Sequence, residues 1–138
     1  MNSADIIEIM MYVPEDSSTG NYSVVKVADN LYKLANNDPF NEKLIYGTVV
    51  SVSPYVNEDG VSMFILNKVY AESDYNLQVI GLPMSLTESE LRPIGKMITD
   101  AGGYWEVIFG GMGYVNLPKQ SQLNVHDHIN RLVTSKLK

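Results

Sequence analysis

Cysteine is absent from this 138-residue sequence. Its absence excludes a disulfide scaffold, a thiolate metal site and a cysteine nucleophile. No run of about 18 apolar residues occurs, so the sequence predicts no transmembrane helix and no membrane partner. The first five residues carry neither the basic region nor the apolar core of a signal peptide, and we therefore expect a cytoplasmic protein.

Basic residues are also scarce, because ten Lys and Arg stand against sixteen Asp and Glu, a net charge of −6. Residues 1–74 hold eleven acids and four bases, a net charge of −7, whereas residues 75–138 hold five acids and six bases. Such a chain repels phosphate, so direct nucleic-acid binding is not expected. The acidic half is either a solvated surface or a surface that steers a basic partner.

Alternating apolar residues predict a β-rich N-terminal half. The predicted strands cover residues 6–13, 21–28, 31–34, 44–53, 61–70 and 75–81. Gly47 is interpreted as a bulge or bend in the fourth strand, and Asp59-Gly60 as the tip of a hairpin. Phe40 is expected to pack beneath its loop. The pattern leaves open whether the first six strands curl into a partly open barrel.

After residue 81 the apolar period changes from 2 to 3.6. Thr87 and Glu90 form a capping box, and a left-handed cap at 101–103 ends the helix that follows. Pro93 predicts either a separate first turn or a kink. A strand at 104–109, a glycine turn, a strand at 114–117 and a last helix from Leu123 complete a β-α-β-β-α unit. The predicted fold is one α+β domain over residues 1–138.

No motif in the sequence indicates catalysis. His126 and His128 are two residues apart on a predicted helix, so they point in different directions and cannot share a metal ion. The glycines at 110–113 join two strands and match no phosphate-binding fingerprint, so a hairpin turn explains them. We therefore expect neither an enzyme nor a cofactor or metal site.

Acid pairs at predicted loop tips and nine tyrosines are the features that suggest recognition. The tyrosines suit either half-buried sheet packing or an aromatic surface. Tyrosine interleaved with carboxylates can bind an Arg- and Lys-rich protein. The predicted partner-binding residues flank two turns that are adjacent in the sequence: Glu58, Asp59, Tyr70, Glu72, Asp74 and Tyr75.

Six short segments carry a family resemblance: residues 29–34, 37–40, 46–50, the hairpin at 59–60, and residues 76–80 and 114–118. In this order they resemble a small bacterial family of unknown function, and the chain is also similar to immunity proteins of contact-dependent growth inhibition and other toxin systems. Thr48 stands where the family usually has aspartate, which is either a functional loss or a change of turn residue.

The resemblance implies a non-enzymatic inhibitor that binds the C-terminal domain of a cognate toxin, a basic nuclease, and blocks its active site. An acidic protein would associate quickly with such a partner. The alternative is a regulatory domain that binds a small ligand or associates with itself.

Overall fold

The computed structural model describes residues 5–136 and has an α+β fold, as the sequence predicts. The chain divides into two compact units, residues 1–73 and 74–138. The boundary nearly coincides with the change of charge along the sequence. The first unit has ten acidic residues and four lysines, a net charge of −6, and the second has six residues of each sign.

The first unit is a closed five-stranded barrel. Its strands are β1 (Ile6–Val13), β2 (Ser18–Ala28), β3 (Leu31–Leu34), β4 (Val49–Val56) and β5 (Ser62–Ala71). Consecutive strands pair antiparallel, and β5 returns to pair parallel with β1. The barrel is therefore closed rather than partly open. The sixth predicted strand lies outside it.

Alternate residues of each strand fill the barrel, as the period-2 pattern requires. Met11, Val24 and Leu34 are completely buried. The rest of this core comprises Ile9, Val13, Tyr22, Tyr32, Leu44, Val50 and Val52, with Phe64, Leu66 and Val69 packed against it. The side chains that point inward from the five strands, with Leu44 of the β3–β4 loop, thus form this core without a helix.

The β3–β4 loop, residues 35–48, corrects one predicted strand boundary. The strand expected from residue 44 begins at Val49, although Leu44 and Tyr46 are buried. The Tyr46 N–H donates to Asn37 Oδ1 at 2.9 Å, and Gly47 has φ +92° and donates to the Leu34 carbonyl at 2.8 Å. Gly47 is thus a turn residue of the loop, because only glycine adopts this φ without strain.

The second unit is a three-stranded antiparallel sheet with two helices. Its elements are β6 (Tyr75–Gly81), α1 (Glu88–Asp100), β7 (Tyr104–Ile108), β8 (Met112–Pro118) and α2 (Val125–Lys136). The strand order is β6-β8-β7. Its core joins one face of the sheet to both helices and contains Ile80, Leu86, Ile94, Ile98, Val115, Leu117, Val125 and Ile129. The sequence order β-α-β-β-α is therefore confirmed.

Both predicted ends of α1 are present. Thr87 and Glu90 form the reciprocal capping box. At the other end Gly102 has φ +81°, and the Gly103 N–H donates to the Ile98 carbonyl at 2.9 Å. The helix continues through Pro93, its sixth residue, so the first turn is not separate. The proline leaves α1 without the hydrogen bond that an N–H at this position would give to the carbonyl of Ser89.

Candidate partner-binding surface

Glu58 and Asp59 occupy the tip of the β4–β5 hairpin. Both side chains are exposed. The turn beneath them is fixed by Asn57, whose Oδ1 accepts the N–H groups of Asp59 and Val61 at 2.9 Å each. The two carboxylates therefore stand on a rigid, convex tip.

Tyr70 and Glu72 lie at the opposite end of the same hairpin. Tyr70 is on β5 and is 60% exposed, and Glu72 follows the last residue of that strand. Strand β5 leads from the Glu58–Asp59 tip to these two residues, a distance of about 30 Å at the rise of a β-strand. These predicted site residues therefore do not form one surface, because successive turns of an antiparallel meander alternate between the two ends of the barrel.

Asp74 and Tyr75 belong to the second unit. Tyr75 begins β6 and pairs with Pro118, and the Asp74 carbonyl accepts the Lys119 N–H at 3.1 Å. The six predicted residues are thus distributed over the two ends of the barrel and the start of the second unit.

The two ends of the barrel carry similar charge. One end, the hairpin end, comprises Asp29, Glu58, Asp59 and the residue before β1, Asp5. The other, the cleft end, comprises the turn after β1, the β3–β4 loop and the end of β5, with the carboxylates of Glu15, Asp16, Asp38, Glu42 and Glu72. Charge alone therefore does not distinguish the two ends as binding surfaces, but their shapes differ.

A cleft of about 340 Å³ opens at the cleft end. Its walls come from three segments of the barrel: Pro14 and Glu15, then Asn41, Lys43 and Leu44, then residues 66–69 of β5. Lys43 Nζ lies 3.6 Å from Glu15 Oε1 across the cleft, and both side chains are about two-thirds exposed. This end is concave, whereas the hairpin end is a convex tip.

Amide side chains hold the β3–β4 loop against the barrel. Asn41 Nδ2 donates to Asp16 Oδ2 at 3.0 Å, and Asn36 Oδ1 accepts the Ser23 N–H at 3.0 Å. Asn37 is 2% exposed, and its Oδ1 accepts the Tyr46 N–H inside the loop. A loop held in this way loses little conformational entropy when a partner binds.

Tyr22 and Asp38 link this loop to the barrel core. The Tyr22 hydroxyl donates to Asp38 Oδ2 at 2.5 Å, and Asp38 Oδ1 accepts the Phe40 N–H at 2.8 Å. Burial raises the pKa of Tyr22 well above its usual range, and the hydrogen bond and negative charge of Asp38, with a smaller effect of Asp16, raise it further. Asp38 is therefore held in place by both oxygens.

Phe40 does not pack beneath its loop, which corrects the expectation from the sequence. Its side chain is 78% exposed. Leu44 and Tyr46 occupy the interior side of the loop instead. The Asn-Asn-Asp-Pro sequence before Phe40 could have indicated a tight turn that projects the next side chain outward.

Thr48 is buried at the end of the loop. Its Oγ1 donates to the Lys43 carbonyl at 3.4 Å and its N–H donates to the Ile45 carbonyl at 3.0 Å. Thr48 therefore serves as a turn residue here, which favours the second of the two interpretations of this position.

Within residues 5–136, the part of the chain that the structure describes, no group of three or more His, Asp or Glu side chains could hold a metal ion. His126 and His128 both lie on α2, as the sequence predicts. Neither helix in this range is long and apolar enough to cross a membrane.

Comparison with known proteins finds a structure with a similar fold. No family model matches the chain, and no curated protein matches it. A crystal structure described as that of a hypothetical protein from Neisseria gonorrhoeae is similar over 94% of this chain and 89% of that one, with a TM-score of 0.58 and 15% sequence identity. At this identity the similarity shows a shared fold and nothing about activity.

Proposed function

We propose that this chain is a non-enzymatic immunity protein that binds and neutralises a basic nuclease domain of a cognate toxin in the cytoplasm. The observation that carries the proposal is the cleft end, where the segments around a concave cleft carry five carboxylates against two lysines, Lys43 and Lys68. A nuclease active site must be basic to grip phosphate, so a carboxylate-rich surface can occupy it in place of the nucleic acid.

The net charge of the barrel supports this choice. Its ten carboxylates exceed its four lysines by six, and most of them project from loops. An excess of one sign on a small surface raises the association rate with a partner of opposite sign, and the gain falls with ionic strength. Speed matters for an inhibitor that must act before a toxin cuts its target.

The first experiment identifies the partner. The tagged protein is recovered from its native host, and co-purifying proteins are identified by mass spectrometry. We expect a stoichiometric basic fragment from the C-terminus of a large exported protein. Recovery of the protein alone, with a higher-order assembly in solution, would contradict the proposal and favour the alternative of a self-associating or ligand-binding regulatory domain.

The second experiment locates the surface with matched charge reversals. Glu15→Lys/Glu42→Lys changes the cleft end, and Glu58→Lys/Asp59→Lys changes the hairpin end by the same charge. We expect the first double variant to weaken binding of the captured toxin domain by about 100-fold and the second by about threefold or less, since only charges at the contact act strongly. The opposite ranking would place the partner on the hairpin end.

A further inference from the structure

Strand β5 is paired along its whole length on one side only. Its antiparallel partner β4 accompanies it from Ser62 to Ala71, with two bulges at which Asn67 and Tyr70 have no partner residue on β4. On the other side β1 pairs with Phe64 and Ile65, and in the described residues no strand pairs with β5 beyond Ile65 on that side. An edge of about 20 Å, residues 66–71, is therefore left without a neighbouring strand.

The path of β1 explains this open edge. β1 ends at Val13, and Pro14 begins a short 3-10 turn that leads the chain away into β2. Proline has no N–H to give to a sheet, so β1 cannot continue beside β5. The space that a longer β1 would occupy is the cleft described above, which Leu66, Asn67, Lys68 and Val69 line from the β5 side.

We propose, building on the function proposed above, that an extended basic segment of the partner protein binds in this cleft as an added strand alongside β5. An open strand edge offers backbone donors and acceptors in a row, and an extended chain satisfies them with its own backbone. The geometry thus specifies the conformation of the bound segment.

The side chains around the cleft specify its chemistry. Leu66 and Val69, which are only partly buried, provide apolar contacts for the bound strand. Glu15, Lys43 and Lys68 line the cleft itself, and three further exposed carboxylates follow its lining residues in the sequence: Asp16, Glu42 and Glu72. Acidic groups therefore exceed amines by two in the segments around the opening. An extended segment that alternates apolar and basic residues fits both features.

The probe for this proposal is a six-residue peptide of alternating Lys and Val, acetylated and amidated. The control peptide has Pro in place of each Val, which keeps the charge and removes the backbone donors at alternate positions. Amide chemical shifts and amide hydrogen exchange of the isotope-labelled full chain are followed during titration. We expect the Lys-Val peptide to shift and slow amides of residues 66–71, and the Lys-Pro peptide to bind at least about tenfold more weakly.

Protein variants give the matched control. Glu15→Lys/Glu42→Lys should weaken binding of the Lys-Val peptide by about tenfold, and Glu58→Lys/Asp59→Lys should leave its affinity unchanged. Equal binding of the two peptides, or binding without slower exchange in β5, would overturn strand addition and leave the proposed basic partner standing. Absence of any peptide binding would also overturn this inference. Failure of the proposed function itself would appear separately, as the recovery of no basic partner from the host.

Discussion

The two units bury their β-sheets in different ways, and they also differ in net charge. The barrel closes on itself, so its strands cover one another and its loops are free to carry an excess of six negative charges. The second unit covers one face of its sheet with helices, and it uses charge to hold them. Lys136 on α2 bonds to Glu90 on α1, and Lys96 bonds to Asp100 within α1. The barrel has ion pairs as well, Lys26–Asp29 and Lys43–Glu15, so the two units differ in net charge rather than in whether their charges pair.

The largest effect on stability is expected in the second unit, at Gly103, where α1 turns into β7. A Cβ at this position would lie 2.6 Å from the Asn116 carbonyl oxygen and 2.9 Å from Leu117 Cδ2. Backbone atoms cannot move aside cheaply, so Gly103→Ala should lower the free energy of unfolding by about 2 kcal/mol. The fluorescence of Trp105, the single tryptophan, reports on this unit during urea unfolding.

Gly111→Ala is the matched control. A Cβ at this position would meet no atom within 4 Å. We expect a change of less than about 0.5 kcal/mol. Equal effects of the two substitutions would mean that the close approach of α1 to β8 is not what requires glycine at 103.

Local signals predicted most of the second unit. The capping box at Thr87 and the glycine at 102 are short-range signals, and each fixes one end of α1 where the sequence places it. The barrel depends on non-local pairing instead. Alternation predicted its strands, but nothing within a window of residues shows that β5 returns to β1, because that pairing joins positions more than fifty residues apart.

The placement of the candidate site residues depends on non-local pairing as well. The predicted residues flank two turns that are adjacent in the sequence, and the sequence leaves open whether they form one surface. A ten-residue strand places those turns at opposite ends of the barrel. The cleft was missed because it is defined by where β1 stops beside β5. Leu44 and Tyr46 continued an alternating apolar pattern, so the loop that forms one wall was interpreted as a strand. Pro14 indicates where β1 ends, but the sequence does not show which residue of β5 lies beside that end.

In the barrel, the next largest effect on stability is expected from the Tyr22–Asp38 hydrogen bond. Tyr22→Phe removes the hydroxyl that donates to Asp38 at 2.5 Å, and we expect a loss of about 1–2 kcal/mol in the free energy of unfolding near pH 8. The pKa of Tyr22 is raised in the folded state, so its contribution is complete below the unfolded value of about 10 and declines as the pH rises beyond it. The difference between wild type and variant should therefore shrink above pH 10 in urea unfolding curves.

Asp38→Asn is the companion variant for this pair. It keeps an oxygen that can accept from Tyr22 but removes the charge that disfavours the phenolate. The alkaline decline should therefore be weaker in Asp38→Asn than in the wild type. An unchanged pH dependence in both variants would exclude the Tyr22–Asp38 pair as its source.

The smallest effect is expected at Glu90, where charge joins the two helices of the second unit. Its carboxylate accepts from Lys136 Nζ at 2.7 Å and from the Thr87 N–H at 3.0 Å, and these bonds, that of Lys136 first, lower the pKa of Glu90 from 4.5 to about 2. The stabilisation is therefore present above pH 4.5 and is lost as the pH falls toward 2. Glu90→Gln should have a flatter Trp105-detected stability profile in this window, and Lys136→Met should do the same. Because the pair is exposed, 1 M salt should bring the wild-type profile close to that of the variants. A Glu90→Gln profile that follows the wild type at low salt would show that charge does not hold these helices, and the contrast with the barrel would then rest on net charge alone.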